Sequence, residues 1–306
     1  MVGQTAVAVV GAGAVGCYFG GMLARAGVPV TLIGRAAHMD AIARDGLRIE
    51  GLRVHERIAV RASTSIEDTR DARVVLFCVK TTATESSARE VRAHVAADAI
   101  VVSMQNGVDN VERIEAASGL HAAAAVVYVG AEMTAPGVVT HTARGDLVVG
   151  AGSEAIAAMF EDAGVPCRVS ADIRTELWTK MLLNCSMNAI SALARTPYGA
   201  MVHDQGGREL VRIGIDEAVA VARADGVTLD ADVVTAAAYR LGEAATSTYS
   251  STAQDLMRGK PTEIDSLNGY IVRRGAEFGI PTPVNRTLHT LVKLAEQRAL
   301  VAPEGH

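Results

Sequence analysis

Three polar residues recur at helical spacing within an otherwise apolar stretch of the second half of the chain. Lys180, Asn184 and Asn188 are four residues apart, which places them on one face of a helix. Asparagine is a mediocre helix former, so two on one face indicate a polar wall for a ligand, to which Lys180 adds a cation. The alternative, which periodicity alone leaves open, is a solvated stripe.

A second polar group lies between Tyr249 and Asn268 and contains Ser251, Thr262 and Glu263. Thr262 is a plausible helix N-cap, which would place Glu263 in the first turn of the following helix. A carboxylate there could act on a ligand, or it could only stabilise the helix dipole.

A glycine-rich loop near the start of the chain is suited to binding phosphate. It follows an apolar run and precedes a helical segment and a second apolar run, Val28–Ile33. Gly11 permits the tight turn, Gly13 lets the backbone approach a pyrophosphate, and Gly16 lets the helix pack on the strand. The helix N-terminus then offers N–H groups to the phosphates. The loop consists of Gly11, Ala12, Gly13, Ala14, Val15 and Gly16. A glycine-rich turn in an ordinary α/β protein is the alternative.

The end of the second strand indicates which dinucleotide would bind. An NAD site would place Asp or Glu there, but this chain has Gly34 and Arg35, and the first carboxylate is Asp40. A guanidinium suits a 2′-phosphate, so we expect NADPH/NADP as the cofactor. The alternative is that Arg35 is a solvated surface residue.

Lys80 and Asn106 each follow an apolar run that is typical of a buried parallel strand. Ligands of open α/β sheets bind outside the carboxyl ends of the strands. Lys80 could therefore meet a phosphate or ribose, and Asn106 a ribose, the nicotinamide or a substrate. A surface lysine and a turn asparagine are the alternatives.

The elements that must position these residues change in type along the chain. The first part predicts strands alternating with helices, which is typical of a doubly wound sheet. Its strands are expected at 5–10, 28–33, 73–79, 99–104, 122–128, 138–141 and 147–149, with a small hairpin or edge strands at 47–49 and 58–60 and a turn-rich segment at 130–137.

From Asp172 onward the pattern contains no convincing strand. Helices are expected at 173–194, 207–225, 232–247, 264–278 and 283–299. The predicted fold is α/β, with an N-terminal Rossmann-type doubly wound sheet domain over 1–168, which binds NADP, and an all-α C-terminal substrate and catalytic domain over 169–306.

Composition limits the partners. The chain has 306 residues, a net charge of −5 and no basic stripe, which argues against nucleic acid. Six glycines interrupt its one long uncharged stretch, so we expect no membrane segment and a cytoplasmic location. The four cysteines lack metal-ligand spacing, which predicts buried thiols and no metal site. The absence of a Ser-His-Asp arrangement or a nucleophile elbow disfavours a hydrolase.

The chain resembles the ketopantoate reductase (2-dehydropantoate 2-reductase) family over essentially all of its length. The resemblance rests on the glycine loop and on six later motifs. These are 78–81, 105–107, 136–141, 176–180 with Asn184 and Asn188, Ser250 with Ser251, and 262–265 with Asn268 and Gly269.

The resemblance implies an NADPH-dependent reduction of a small 2-oxo acid, ketopantoate, to pantoate in pantothenate and coenzyme A biosynthesis. It implies Lys180 as general acid and Glu263 close to where cofactor and substrate meet. The implied cofactor ligands are the glycine loop, Arg35, Lys80 and Asn106, and the implied substrate ligands are Asn106, Lys180, Asn184, Asn188 and Ser251. The oligomeric state stays open, with a homodimer as one possibility.

The chain departs from the family pattern at Tyr198, where the family often has asparagine, and at Thr252, where it often has methionine. A reductase of a different 2-oxo acid is therefore an alternative. A catalytically silent NADP(H)-binding regulator is another, although a pure binder would need neither Lys180 nor Glu263.

Overall fold

The computed structural model describes residues 5–52 and 54–301, with side chains to residue 297. The chain divides into two compact units, Met1–Glu176 and Leu177–His306. The first unit is an α/β unit and the second is helical, which confirms the predicted fold class.

One ten-stranded sheet organises the first unit. Its strands are β1 (Val7–Val10), β2 (Val30–Ile33), β3 (Leu47–Gly51), β4 (His55–Ile58), β5 (Arg61–Ser63), β6 (Val74–Phe77), β7 (Ile100–Ser103), β8 (Ala122–Ala135), β9 (Val138–Gly150) and β10 (Cys167–Ser170). The helices of this unit are α1 (Ala14–Arg25), α2 (Ala36–Asp45), α3 (Thr84–Arg92), α4 (Asn110–Ser118) and α5 (Glu154–Asp162).

The parallel part of the sheet has the order β5-β2-β1-β6-β7-β8. The chain runs outward from β1 through β2 to β5. It then returns to the other side of β1 and runs outward through β6 and β7 to β8, as in dinucleotide-binding sheets. Both faces of the strands are covered: Val7 and Val9 of β1 join one apolar core, whereas Ala8 and Val10 join another. Burial of both faces explains why these strands are continuous apolar runs.

On the far side of the sheet, residues 130–135 form part of a strand, although a turn-rich segment was predicted over 130–137. Strand β8 continues to Ala135 and pairs antiparallel with β9, so the two short strands expected at 138–141 and 147–149 are one strand. Gly130 lies at an irregularity of this pairing, and a Cβ there would approach Thr142 Oγ1 to 2.7 Å. This glycine therefore permits close approach of two strands instead of a turn. Strands β3 and β4 form the predicted hairpin.

The second unit is built from helices, and no strand follows Ser170 in the residues that the structure describes. The helices of this unit are α6 (Ile173–Ala194), α7 (Tyr198–His203), α8 (Gln205–Ala224), α9 (Ala231–Ala244), α10 (Ser251–Met257), α11 (Asn268–Phe278) and α12 (Pro283–Val301). Helix α6 starts just before the unit boundary. Helix α6 has the predicted bounds. Helices α7 and α10 were missed because segments of six and seven residues are too short to show a periodic pattern.

The helix predicted over 264–278 is also interrupted. A 3-10 turn covers Ile264–Ser266, and α11 begins only at Asn268, because Leu267 leaves the helical region with φ −105° and ψ −105°. Two contacts hold this break. Thr262 Oγ1 accepts from the Ile264 N–H at 3.2 Å, and Asn268 Nδ2 donates to the Cys185 carbonyl at 2.9 Å.

All four cysteines lie in the described part of the chain and are free. Cys17, Cys167 and Cys185 are buried, as expected, and Cys78 is partly buried. Burial raises the pKa of Cys17 to about 12 and that of Cys167 to about 11, which keeps these thiols protonated. Among the described residues, no helix combines the length and the apolarity that crossing a bilayer requires.

Candidate active site

Four neighbouring strands of the first unit end level with one another. Val10 is in register with Ile33 on one side and with Phe77 on the other, and Phe77 is in register with Ser103. The predicted cofactor residues follow these ends within one to three positions, and they are Gly11 after β1, Arg35 after β2, Lys80 after β6 and Asn106 after β7. The topology therefore collects residues from distant parts of the sequence at one edge of the sheet.

The glycine loop is packed so tightly that two of its glycines could not carry a Cβ unless the neighbouring backbone shifted. Gly11 has φ +95°, and a Cβ there would lie 2.5 Å from the Val79 nitrogen. A Cβ on Gly16 would lie 2.6 Å from the Gly11 carbonyl oxygen. These contacts agree with a tight turn at Gly11 and with close packing of helix on strand at Gly16.

Gly13 is in the opposite situation, because a Cβ built on it would meet nothing within 4 Å. It is the N-cap of α1 and has no side chain to cover the helix end, where Ala14 and Val15 are only partly buried. Free N–H groups beside open space fit an anionic diphosphate. Ala12 fits that role less well, because its N–H already donates to the Ile33 carbonyl at 2.9 Å.

Arg35 is an exposed cation beside this loop. It is the N-cap residue of α2, and a Cβ on the preceding Gly34 would lie 3.1 Å from the Ala12 Cβ, so the two segments touch. The Arg35 guanidinium makes no hydrogen bond or ion pair with any residue that the structure describes. It is therefore available to an anionic ligand.

Lys80 and Asn106 stand in adjacent loops at the same edge. Lys80 is exposed and precedes a 3-10 turn over Thr81–Ala83, whereas Asn106 is half-buried. The Asn106 carbonyl accepts a hydrogen bond of 2.7 Å from Asn110 Nδ2, which ties the loop to the start of α4.

A buried glutamine, Gln105, links these two loops and was not among the predicted site residues. Its Nε2 donates to the Val79 carbonyl at 3.0 Å and to Thr84 Oγ1 at 2.8 Å, while its Oε1 accepts from Ser103 Oγ at 3.2 Å. Gln105 therefore fixes the loop before Lys80 against the loop that carries Asn106. In the sequence, its only signal is its place in the 105–107 motif beside Asn106.

In the second unit, the three polar residues of α6 become more buried along the helix. Lys180 and Asn184 are half-buried, and Asn188 is only 3% exposed. A fully solvated stripe is therefore excluded. Asn188 Oδ1 accepts a hydrogen bond of 2.7 Å from the Tyr198 hydroxyl, and burial raises the pKa of Tyr198 well above its usual value, so this hydroxyl keeps its proton.

Ser251 is brought to α6 by its neighbour. The buried Ser250 caps α10 by accepting from the Ala253 N–H at 3.0 Å, and its hydroxyl donates to the Asn188 carbonyl at 3.0 Å. Ser251 is the exposed first residue of α10 and thus lies next to the end of the polar face. Ser250 was missed as a positioning residue, although a serine that precedes a short helical stretch is a recognisable N-cap signal.

Glu263 is half-buried and directly precedes the 3-10 turn, so it does not lie in the first turn of an α-helix as predicted. The residues on either side of it are tied to α12. Thr262 Oγ1 donates to Glu296 at 2.6 Å, and Asp265 accepts from His289 at 2.7 Å and from Lys293 at 2.9 Å. These bonds hold the Glu263 backbone in place.

Asp265 is ionised in this arrangement. Burial acts to raise its pKa, but the hydrogen bonds from Lys293 and His289 outweigh burial and hold the pKa below its usual value. The carboxylate is therefore charged at neutral pH, which maintains both bonds to α12.

Comparison with known proteins assigns the chain to a family. The family described as "Ketopantoate reductase PanE/ApbA" matches residues 7–154, and its C-terminal counterpart matches residues 172–296. The chain belongs to the ketopantoate reductase family. The family consists of nicotinamide-dependent reductases, so the protein is an oxidoreductase.

Individual relatives cover almost the whole chain. A 2-dehydropantoate 2-reductase from Halobacterium salinarum is 35% identical, over 95% of this chain and 99% of its own. The crystal structure of a PanE/ApbA family ketopantoate reductase from Ralstonia eutropha JMP134 is 48% identical, with a TM-score of 0.93 over 97% and 100% of the two chains. D-mandelate dehydrogenase with NADH and anilino(oxo)acetate is 24% identical, with a TM-score of 0.91 over 97% and 100%, and shares the fold.

Proposed function

We propose that the protein reduces 2-dehydropantoate (ketopantoate) to pantoate with NADPH, in the pathway to pantothenate and coenzyme A. The observation that carries this proposal is the polar face of α6 in a chain of the ketopantoate reductase family. A half-buried ammonium, Lys180, heads that face, and Asn184 and Asn188 follow it. A cation followed by amides suits a small anion that carries a carbonyl group.

The cofactor assignment rests on the edge of the sheet in the first unit. The open space at Gly13 and the N-terminus of α1 would hold the diphosphate. Arg35 stands where an NAD site has a carboxylate, and its guanidinium would bind the 2′-phosphate that distinguishes NADPH from NADH. Lys80 and Asn106, at the ends of the next two strands, would contact the phosphate, the ribose or the nicotinamide.

NADPH, when bound, supplies the hydride that reaches the C2 carbon of the acid. Lys180 then has two tasks at the carbonyl oxygen. Its ammonium stabilises the negative charge that grows there, and it transfers a proton from Nζ to that oxygen to give the hydroxyl of the product. Lys180 regains its proton from water after the product leaves.

The remaining predicted residues would hold and orient the acid. Asn184, Asn188 and Ser251 would donate hydrogen bonds to its oxygens. Glu263 would orient Lys180 or the acid without donating the proton. Such positioning contributes to the rate because it keeps the reacting atoms at near-attack distance.

The test is steady-state oxidation of NADPH by the purified protein against ketopantoate, pyruvate, 2-oxoisovalerate and oxaloacetate, repeated with NADH. We expect the highest kcat/KM for ketopantoate with NADPH. Oxidation of NADPH with none of the four acids would contradict the proposed reaction.

A second candidate, reduction of a different 2-oxo acid, is supported by one observation. The Tyr198 hydroxyl occupies the acceptor oxygen of Asn188, so one amide oxygen of the face is already used inside the protein. A higher kcat/KM for another acid of the panel would replace the proposed substrate and leave the reaction type unchanged.

A further inference from the structure

Two asparagines one turn apart on α6 differ in what they offer to a ligand. The Asn184 side chain has no hydrogen-bond partner among the residues that the structure describes, so either end of its amide can face a ligand. The Asn188 amide is held at one end, because its Oδ1 accepts from the Tyr198 hydroxyl at 2.7 Å.

The other end of the Asn188 amide has no partner. Within the described residues, no group accepts a hydrogen bond from Asn188 Nδ2. Asn188 is only 3% exposed, but its Nδ2 is not one of the fully buried polar atoms that lack a partner, so this nitrogen itself is accessible. An amide that is fixed at its oxygen and accessible at its nitrogen presents an oriented N–H donor to a ligand that carries an acceptor.

The position of Tyr198 is itself fixed by the fold. Its backbone N–H donates to the Thr248 carbonyl at 2.9 Å, and a Cβ on the next residue, Gly199, would lie 2.7 Å from the Thr246 backbone. The Ser250 hydroxyl also donates to the Asn188 carbonyl. The segment around 246–250 thus anchors Tyr198 and the Asn188 backbone together.

We propose that Tyr198 is a positioning residue that fixes the Asn188 amide so that Nδ2 donates to an oxygen of the 2-oxo acid. This end of the polar face is then a hydrogen-bond donor only, and it selects an acceptor such as a carboxylate or carbonyl oxygen. The inference rests on the proposed function, because it assumes that the α6 face binds a 2-oxo acid.

The experiment is a double-mutant cycle on the KM for the acid that the wild type reduces best, at saturating NADPH. Tyr198→Phe keeps the ring and removes the hydroxyl. We expect it to raise the KM about tenfold and to change kcat by less than about twofold, as loss of one oriented hydrogen bond predicts. In an Asn188→Ala background the same substitution should change the KM by less than about twofold, because Tyr198 acts through Asn188.

Tyr239→Phe is the matched control. The Tyr239 hydroxyl donates to the Arg208 carbonyl at 2.9 Å in the same unit, so this variant also loses one partly buried phenol bond. It should leave the KM for the acid unchanged. Equal KM increases for both tyrosine variants would show a general loss of packing and overturn the proposal.

Asn188→Asp tests the donor itself. It keeps an acceptor for Tyr198 and replaces the N–H groups by a carboxylate, so it should raise the KM at least as much as Asn188→Ala. Near wild-type KM in Asn188→Asp would overturn the donor assignment, even if a Tyr198 variant did not fold. NADPH binding and thermal unfolding report folding in every variant.

Different results would contradict the proposed reaction and the positioning role of Tyr198. If the wild type reduces none of the acids, the proposed function is wrong and this inference falls with it. If the wild type reduces an acid but the two substitutions act additively on the KM, the reaction stands and only the role of Tyr198 is wrong.

Discussion

The candidate cofactor site of the first unit is built mainly from backbone, whereas the candidate substrate site of the second unit is built from side chains. At the glycine loop, the features that would hold a diphosphate are N–H groups, a helix end and the absence of a Cβ at Gly13. On α6, the features are one ammonium and two amides. The first design depends on which positions lack side chains, and the second on how each side chain is oriented.

This difference predicts different responses to mutation. Backbone sites are damaged by adding atoms, because an added Cβ collides with neighbouring backbone or with the ligand. Side-chain sites are damaged by removing atoms, because the lost hydrogen bond or charge belongs to the ligand. The variants below test this contrast, from the largest expected effect to the smallest.

Removing the ammonium of Lys180 should have the largest effect. We expect Lys180→Ala to lower kcat by ~10²–10⁴-fold, the usual contribution of a general acid, while NADPH still binds and the fold is retained. Steady-state NADPH oxidation with ketopantoate measures this loss. Near wild-type kcat and kcat/KM in Lys180→Ala for every acid of the panel would exclude the general-acid role.

Glu263→Ala should also reduce activity, because it would remove the group that orients Lys180 or the acid. The dependence of kcat on pH in this variant separates an orienting role from a proton-donating role. A general acid that is only misoriented keeps the pH dependence of the wild type, whereas loss of the proton donor changes it. Unchanged activity in Glu263→Ala would remove this residue from the site.

Asn184→Ala and Ser251→Ala should weaken the acid far more than NADPH. Each would remove a hydrogen bond to a charged ligand, worth roughly 1.5–3 kcal/mol, or about 10- to 150-fold in affinity. Isothermal titration of NADPH and the KM for the acid give the two numbers. Comparable losses for both ligands would place these residues in the cofactor site or in the fold.

Gly13→Ala and Gly11→Ala form a matched pair for the backbone site. Gly13→Ala meets no protein atom within 4 Å, so it should keep wild-type stability and weaken NADPH by roughly tenfold because the methyl group obstructs the diphosphate. Gly11 has φ +95°, and an added Cβ would lie 2.5 Å from the Val79 nitrogen. Gly11→Ala should therefore lose about 1–3 kcal/mol of unfolding free energy. Thermal unfolding with and without NADPH separates the two effects. Unaltered NADPH affinity in Gly13→Ala would contradict the proposed diphosphate position.

Arg35→Ala should have the smallest effect, because the side chain is exposed and its ion pair with a phosphate is screened by solvent. We expect kcat/KM for NADPH to fall several-fold, roughly what an exposed charged contact contributes, and kcat/KM for NADH to stay constant. The ratio of the two cofactors in wild type and variant is the measurement. A wild type that prefers NADH would show that Arg35 does not bind the 2′-phosphate. An NADPH-to-NADH ratio of kcat/KM that Arg35→Ala leaves unchanged would show the same.

The sequence alone determined the features that depend on near neighbours in the chain. The unit from β1 through the glycine loop and α1 to β2 was predicted because strand, loop and helix signals follow one another within 35 residues. Helix α6 and its polar face were predicted because Lys180, Asn184 and Asn188 obey a short period. The expected roles of these residues toward ligands stay predictions.

Only the tertiary structure decided which residues orient the site. Ser250 reaches Asn188 across 62 positions and Gln105 reaches Val79 across 26. The Tyr198 hydroxyl meets Asn188 because the turn after α6 brings the start of α7 back to that helix. The extension of β8 to Ala135 likewise depends on its partner β9. A hydrogen bond between distant segments leaves no periodic trace in the chain, because its geometry exists only after both segments have packed.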